Sequence, residues 1–73
     1  MYEKVTAPFP ASVWEVPCAV GDEVVAGQQL CVLEAMKMET PVATTGGGTV
    51  VAVVVQKGSL VARGQVLSVV RRK

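Results

Sequence analysis

Lys37 stands between Met36 and Met38 in the stretch Glu34-Ala35-Met36-Lys37-Met38-Glu39-Thr40. Its amine is the one side-chain nitrogen of this stretch that can be acylated. A lysine amine is mostly protonated at neutral pH, and so is a poor nucleophile without burial or a neighbouring base. The chain has no histidine, so the commonest general base is absent. Chemistry at Lys37 therefore needs a separate enzyme that brings an activated acyl donor, and acylation would remove the lysine charge. A lysine at a chain reversal is usually just a solvated charge. The two methionines argue for more, because their flexible, polarizable side chains suit a surface that meets several partners.

The composition removes other chemistries. Two cysteines and no histidine exclude a four-ligand Cys/His zinc site, a Ser-His-Asp triad and a Cys-His centre. Net charge is +1 and the one basic run is Arg71-Arg72-Lys73, which argues against nucleic acid as a partner. The longest apolar run, Val50 to Val55, falls far short of the roughly 20 residues of a membrane helix. Met1-Tyr2-Glu3-Lys4 carries no apolar signal segment, so the expected location is cytoplasmic. Cys18 and Cys31 are then expected as reduced, strand-borne small hydrophobes.

The elements that must present Lys37 are strands. "QLCVL" before the stretch and "PVATT" after it both read as strand, so the chain turns between them. Two-residue hairpins favour Asn-Gly or Asp-Gly, which accept positive φ. None of the seven glycines of the chain, and no Asn, Asp or Pro, stands at this turn. A local rule broken at a hairpin tip marks a functional position.

A shift of 37 positions aligns the two halves of the chain. Val5 meets Val42, Val13 meets Val50 and Val16 meets Val53; "GDEVVAGQQLCV" meets "GSLVARGQVLSV". The repeat predicts one domain over 1–73, with approximate two-fold symmetry and halves at about 5–36 and 42–73. Short Val-, Leu- and Thr-rich runs separated by Gly- and Pro-bearing turns predict strands near 3–6, 12–18, 23–26, 29–34, 40–43, 49–55, 60–63 and 66–71. Eight such strands make an all-β flattened barrel or sandwich. Its closure would hide the edges of runs such as "VVAVVV". The lysine stretch falls at the junction of the two halves.

"EAMKMET" resembles the biotin-attachment signature of biotin-dependent carboxylases. The flanking "GDEVVAGQQLCVLEAMKME" and "GGGTVVAVVVQKGSLVARGQVL" are similar to the rest of the biotinyl domain, so the resemblance runs from Val5 to Val70. It implies a barrel-sandwich hybrid of two four-stranded antiparallel sheets with internal pseudo-two-fold symmetry. It implies a non-catalytic biotin carboxyl carrier in which Lys37 bears covalent biotin on a swinging arm. Met36 and Met38 would flank it for recognition, with Glu34, Ala35 and Glu39 completing the motif. The implied partners are a biotin protein ligase, a biotin carboxylase domain and a carboxyltransferase domain, without metal, nucleic acid or membrane. Ala11 stands where the family usually has Gly, and Thr44-Thr45 where its second half often has Ala-Pro. Only "AVGD" joins strands two and three, too little for the protruding thumb of some bacterial carriers. Val13-Trp14 resembles the biotinyl segment of urea carboxylase and urea amidolyase.

Two other readings compete. A lipoyl-type acyl carrier shares the glycine framework, but tends to show Asp-Lys-Ala at the apex. An unmodified barrel-sandwich packing module would lack Met-Lys-Met.

Overall fold

The computed structural model describes residues 1–72; Lys73, the last residue of the basic run, lies outside the described residues. Eight strands follow one another: β1 (Tyr2–Thr6), β2 (Ala11–Glu15), β3 (Glu23–Val24), β4 (Gln29–Ala35), β5 (Met38–Ala43), β6 (Gly48–Val53), β7 (Leu60–Val61) and β8 (Val66–Arg71). No helix occurs among the described residues. The strands form two four-stranded antiparallel sheets, ordered β1-β8-β6-β3 and β5-β4-β2-β7. A shift of 37 residues carries the first order onto the second, strand by strand. Each sheet therefore takes two strands from each half of the chain.

The hydrogen bonds repeat with the same spacing. Gly21 donates its amide to the Val50 carbonyl at 2.8 Å, and Gly58 donates to Val13 at 2.8 Å. Gly27 donates to Thr44 and Gly64 to Ala7, both at 2.8 Å. The shared Gly-Gln phrase acts locally. Gln28 Oε1 accepts the Val25 amide (3.1 Å), and Gln65 Oε1 accepts the Ala62 amide (3.0 Å). A side-chain carbonyl thus satisfies a backbone donor that the tight turn leaves out of the ladder.

The core has two clusters, and four residues of each exchange under the shift. One gathers Val5, Cys18, Val24, Leu30, Val50 and Val70. The other gathers Ala7, Val13, Cys31, Leu33, Val61 and Leu67, with Val42 and Val55 packed against it. Both clusters mix residues of the two halves, so neither half can close a core alone. Cys18 and Cys31 are free and buried, and burial pushes both thiols above their usual range. They are packing groups.

The structure departs from the sequence expectation in several places, and the strands expected at 23–26 and 60–63 shorten to Glu23–Val24 and Leu60–Val61, where the Gly-Gln turns begin at once. The runs expected at 12–18 and 49–55 leave their ladders at Glu15 and Val53. The apolar pattern continues beyond them because the chain crosses between the sheets there: Val16 packs against both clusters. The β4–β5 pairing runs closer to the apex than expected, as far as Ala35 and Met38. The apolar β6 is covered by pairing with β8 and β3 rather than by closure of one continuous sheet. The edges left over are managed separately. β3 and β7 have two residues each, and the edge strand β5 carries Pro41, which blunts further pairing.

Thr44-Thr45 stands where the first half has Ala7-Pro8, so two hydroxyls occupy positions that carry none in the other half. Thr44 is buried, and its hydroxyl donates to Glu3 Oε1 at 2.6 Å. The Thr45 amide and hydroxyl donate to Glu3 Oε2 at 3.0 and 2.9 Å. The Arg72 guanidinium donates to the Thr45 hydroxyl at 2.8 Å and lies 3.9 Å from Glu3 Oε1. The first strand and the end of the last are thereby tied to the loop between β5 and β6.

Candidate functional site

The β4–β5 hairpin reverses in two residues. Ala35 pairs with Met38, and Met36 and Lys37 alone form the turn. Their φ angles are +53° and +65°, the only positive values at non-glycine positions among the described residues. Two positive φ values in succession are what a type I′ hairpin turn requires, because that geometry matches the right-handed twist of the strands. Asn-Gly would adopt it with little strain. Met-Lys holds it between the six strand pairs of β4 and β5.

The turn presents its side chains outward. Met36 is 94% exposed and Met38 70% exposed, and Lys37 is exposed between them. No hydrogen bond or ion pair engages Lys37 among the described residues. Ala35 and Glu34 are half-buried at the end of β4, and Glu39 is exposed on β5. Glu34 and Glu39 stand directly opposite each other. The structure thus brings all six motif residues into one hairpin tip. The inward neighbour Leu33 is fully buried, which anchors the hairpin to the core and makes the tip a fixed platform for a flexible lysine.

The residues available to a covalent group fit an attachment site. Lys37 offers a single accessible amine, two exposed thioethers flank it, and no cluster of three or more metal-ligating side chains exists among the described residues.

The sequence profile of the family described as "Biotin-requiring enzyme" matches residues 3–70. The chain belongs to this biotin/lipoyl family. It is 40% identical over 70 residues to the biotinylated protein TB7.3 homolog of Mycobacterium leprae, a match covering 96% of this chain and 99% of that one. It is 38% identical over 69 residues to the biotin-dependent acyl-coenzyme A carboxylase alpha3 subunit of the same organism, covering 94% of this chain and 12% of that subunit. Among solved structures, the Kluyveromyces lactis urea carboxylase superposes with a TM-score of 0.91 at 31% identity, over 97% of this chain and 6% of that one. The chain therefore spans a small fraction of the carboxylases it matches and nearly the whole of a small biotinylated protein. The matched region is the biotin carboxyl carrier domain, and its cofactor is biotin. Such a domain carries; catalysis belongs to other parts of a carboxylase.

Pro10, Ser12 and Leu60 line an open groove beside Met36; the sequence marks Pro10 as a turn residue and gives none of the three a place at the site. One signal was available: the repeat mate of Leu60 is Glu23, so an apolar residue stands where the other half has a charge.

Proposed function

We propose that Lys37 is the covalent attachment point for biotin, and that the chain shuttles a carboxyl group from a biotin carboxylase site to a carboxyltransferase site. The observation that supports this most is the geometry of one residue: Lys37 is the second central residue of a two-residue turn, at φ +65°, exposed, and unpaired among the described residues. The turn directs its amine away from the sheets, where an enzyme can enclose it.

A biotin protein ligase would bring the activated acyl donor. The lysine nitrogen then forms an amide, loses a proton and displaces the activating group. Met36 and Met38 would supply adaptable apolar contact to that ligase. Bound biotin supplies the ureido nitrogen on which a carboxyl group is carried. The chain's part is to hold the point of attachment on a rigid hairpin and keep the group at high effective concentration near both sites.

The test is intact mass after co-expression with a biotin protein ligase, beside Lys37→Arg. One added biotin less one water, lost in the variant, is the expected result. No gain, with the ligase active on a control carrier, would return Lys37 to an ordinary solvated lysine.

A further inference from the structure

Two shallow grooves on the surface are related by the 37-residue shift. One is lined by Val24, Gly47, Gly48 and Arg72. The other is lined by their mates Val61, Pro10, Ala11 and Ala35. The repeat thus provides an internal comparison, and the two are furnished differently. In the first, the Arg72 side chain lies over Gly46, where an added Cβ would come within 2.9 Å of Nε. Its guanidinium is held by Thr45 and Glu3. Beside it, the Thr49 hydroxyl donates to Glu23 at 2.9 Å. In the second, Ala35 replaces Arg72, Ser12 replaces Thr49, and Leu60 replaces Glu23. Leu60 is 81% exposed. Ser12 is in register with Leu60 on one side and Glu34 on the other. The three therefore form a row on the outer face of the sheet, opposite in sense to buried Val13 and Leu33. The groove reaches Met36, the residue before Lys37. At about 3.3 Å per strand residue, Glu34 lies roughly 7 Å down the hairpin from Met36.

We propose that this groove is a resting site for the ureido-ring head of biotin attached at Lys37; the inference rests on the attachment reading above. The head has an apolar bicyclic body and a ureido edge with two N–H donors and one carbonyl acceptor. Leu60 and Met36 offer apolar contact to the body. The Glu34 carboxylate, without an ion pair among the described residues, accepts an N–H. The Ser12 hydroxyl donates to the carbonyl. A short tether gives an effective concentration in the millimolar range. A millimolar site is then filled about half the time, and its competition weakens a partner pocket's affinity only about twofold. The arm is sheltered between transfers and still released.

The test compares amide NMR spectra of the unmodified chain with those of enzymatically biotinylated chain whose mass shows one biotin. Shift changes at Ser12, Leu60 and Val61, with nuclear Overhauser contacts from the ring protons to the Leu60 methyls, are expected. Leu60→Glu, which installs the residue used at the matched position of the first half, should lose the Ser12 shift while keeping the added mass. Ser12→Ala should diminish the same shifts without disturbing the exposed leucine. Changes confined to Ala35–Glu39, with no contact to Leu60, would overturn the resting site and leave attachment intact. A chain that gains no biotin overturns the attachment reading itself, and does so before any spectrum is compared.

Discussion

Glu34 and Glu39 face each other directly across the hairpin that carries Lys37. Like charges opposite one another in an antiparallel pair destabilise it, and opposite charges contribute about 0.2–1 kcal/mol. Glu39→Lys should therefore raise stability by an amount in this range in urea denaturation at low salt, with less gain at high salt. The same change should slow ligase-dependent biotin incorporation, because the pair is part of the surface beside Lys37, the proposed acceptor. Equal rates in the variant and the parent chain would show that the carboxylates are not read.

Met36 and Lys37 hold positive φ without being Gly or Asn. Each L-residue in that region costs about 1–2 kcal/mol. The double change Met36→Asn, Lys37→Gly should stabilise the fold by roughly 1–3 kcal/mol and abolish modification. Lys37→Arg should abolish modification with a stability change within about 0.5 kcal/mol. Thermal melts and intact mass on the two variants separate the conformational role of the turn from its chemical one.

Glu3 gives the fold an acid limb. Burial pushes its carboxyl up, but hydrogen bonds from the Thr44 hydroxyl, the Thr45 amide and hydroxyl, and the Gly46 backbone together hold it below the usual glutamate range. Because its folded pKa is lowered, its contribution is full above the unfolded value and is lost as pH falls through the folded one. Stability should decline as pH drops from the ordinary glutamate range downward. Glu3→Gln should lose about 1–3 kcal/mol at pH 7 and flatten that acid limb. A variant whose acid limb matches the parent's would place the titrating group elsewhere.

Gly48 and Gly21 both have positive φ, +141° and +97°, but in different surroundings. A Cβ at Gly48 would collide with the Arg71 carbonyl oxygen across the β6–β8 ladder, whereas a Cβ at Gly21 meets nothing within 4 Å. Gly21→Ala should cost about 1–2 kcal/mol, the strain of the backbone alone. Gly48→Ala should cost upward of 3 kcal/mol, because two paired strands must move apart. Equal losses in urea melts would contradict the close approach at Arg71.

The all-β class, the eight strands, the two-fold character and the exposed lysine at the hairpin tip were all legible in the sequence. Short-range chemistry specified them. β-branched runs bounded by Gly and Pro specify strands, and a repeated Gly-x-x-Val-x-x-Gly-Gln phrase specifies the same turn twice, each closed by its own glutamine. The Met-Lys-Met apex was legible because it violates the rule for the turn it occupies.

What the tertiary structure alone decided is everything that depends on which strands become neighbours. Pairing β1 with β8, and β2 with both β4 and β7, interleaves the halves so that each core cluster draws on both. No local pattern encodes that choice, since every strand presents much the same alternation of apolar residues. The same pairing sets Leu60, Ser12 and Glu34 in one row, though they lie far apart along the chain. It also brings Arg72 over one groove while Ala35 leaves the other open. Residue types were fixed in one dimension; their juxtaposition needed hydrogen-bonded register between distant strands, where burial of the apolar faces selects one pairing among many.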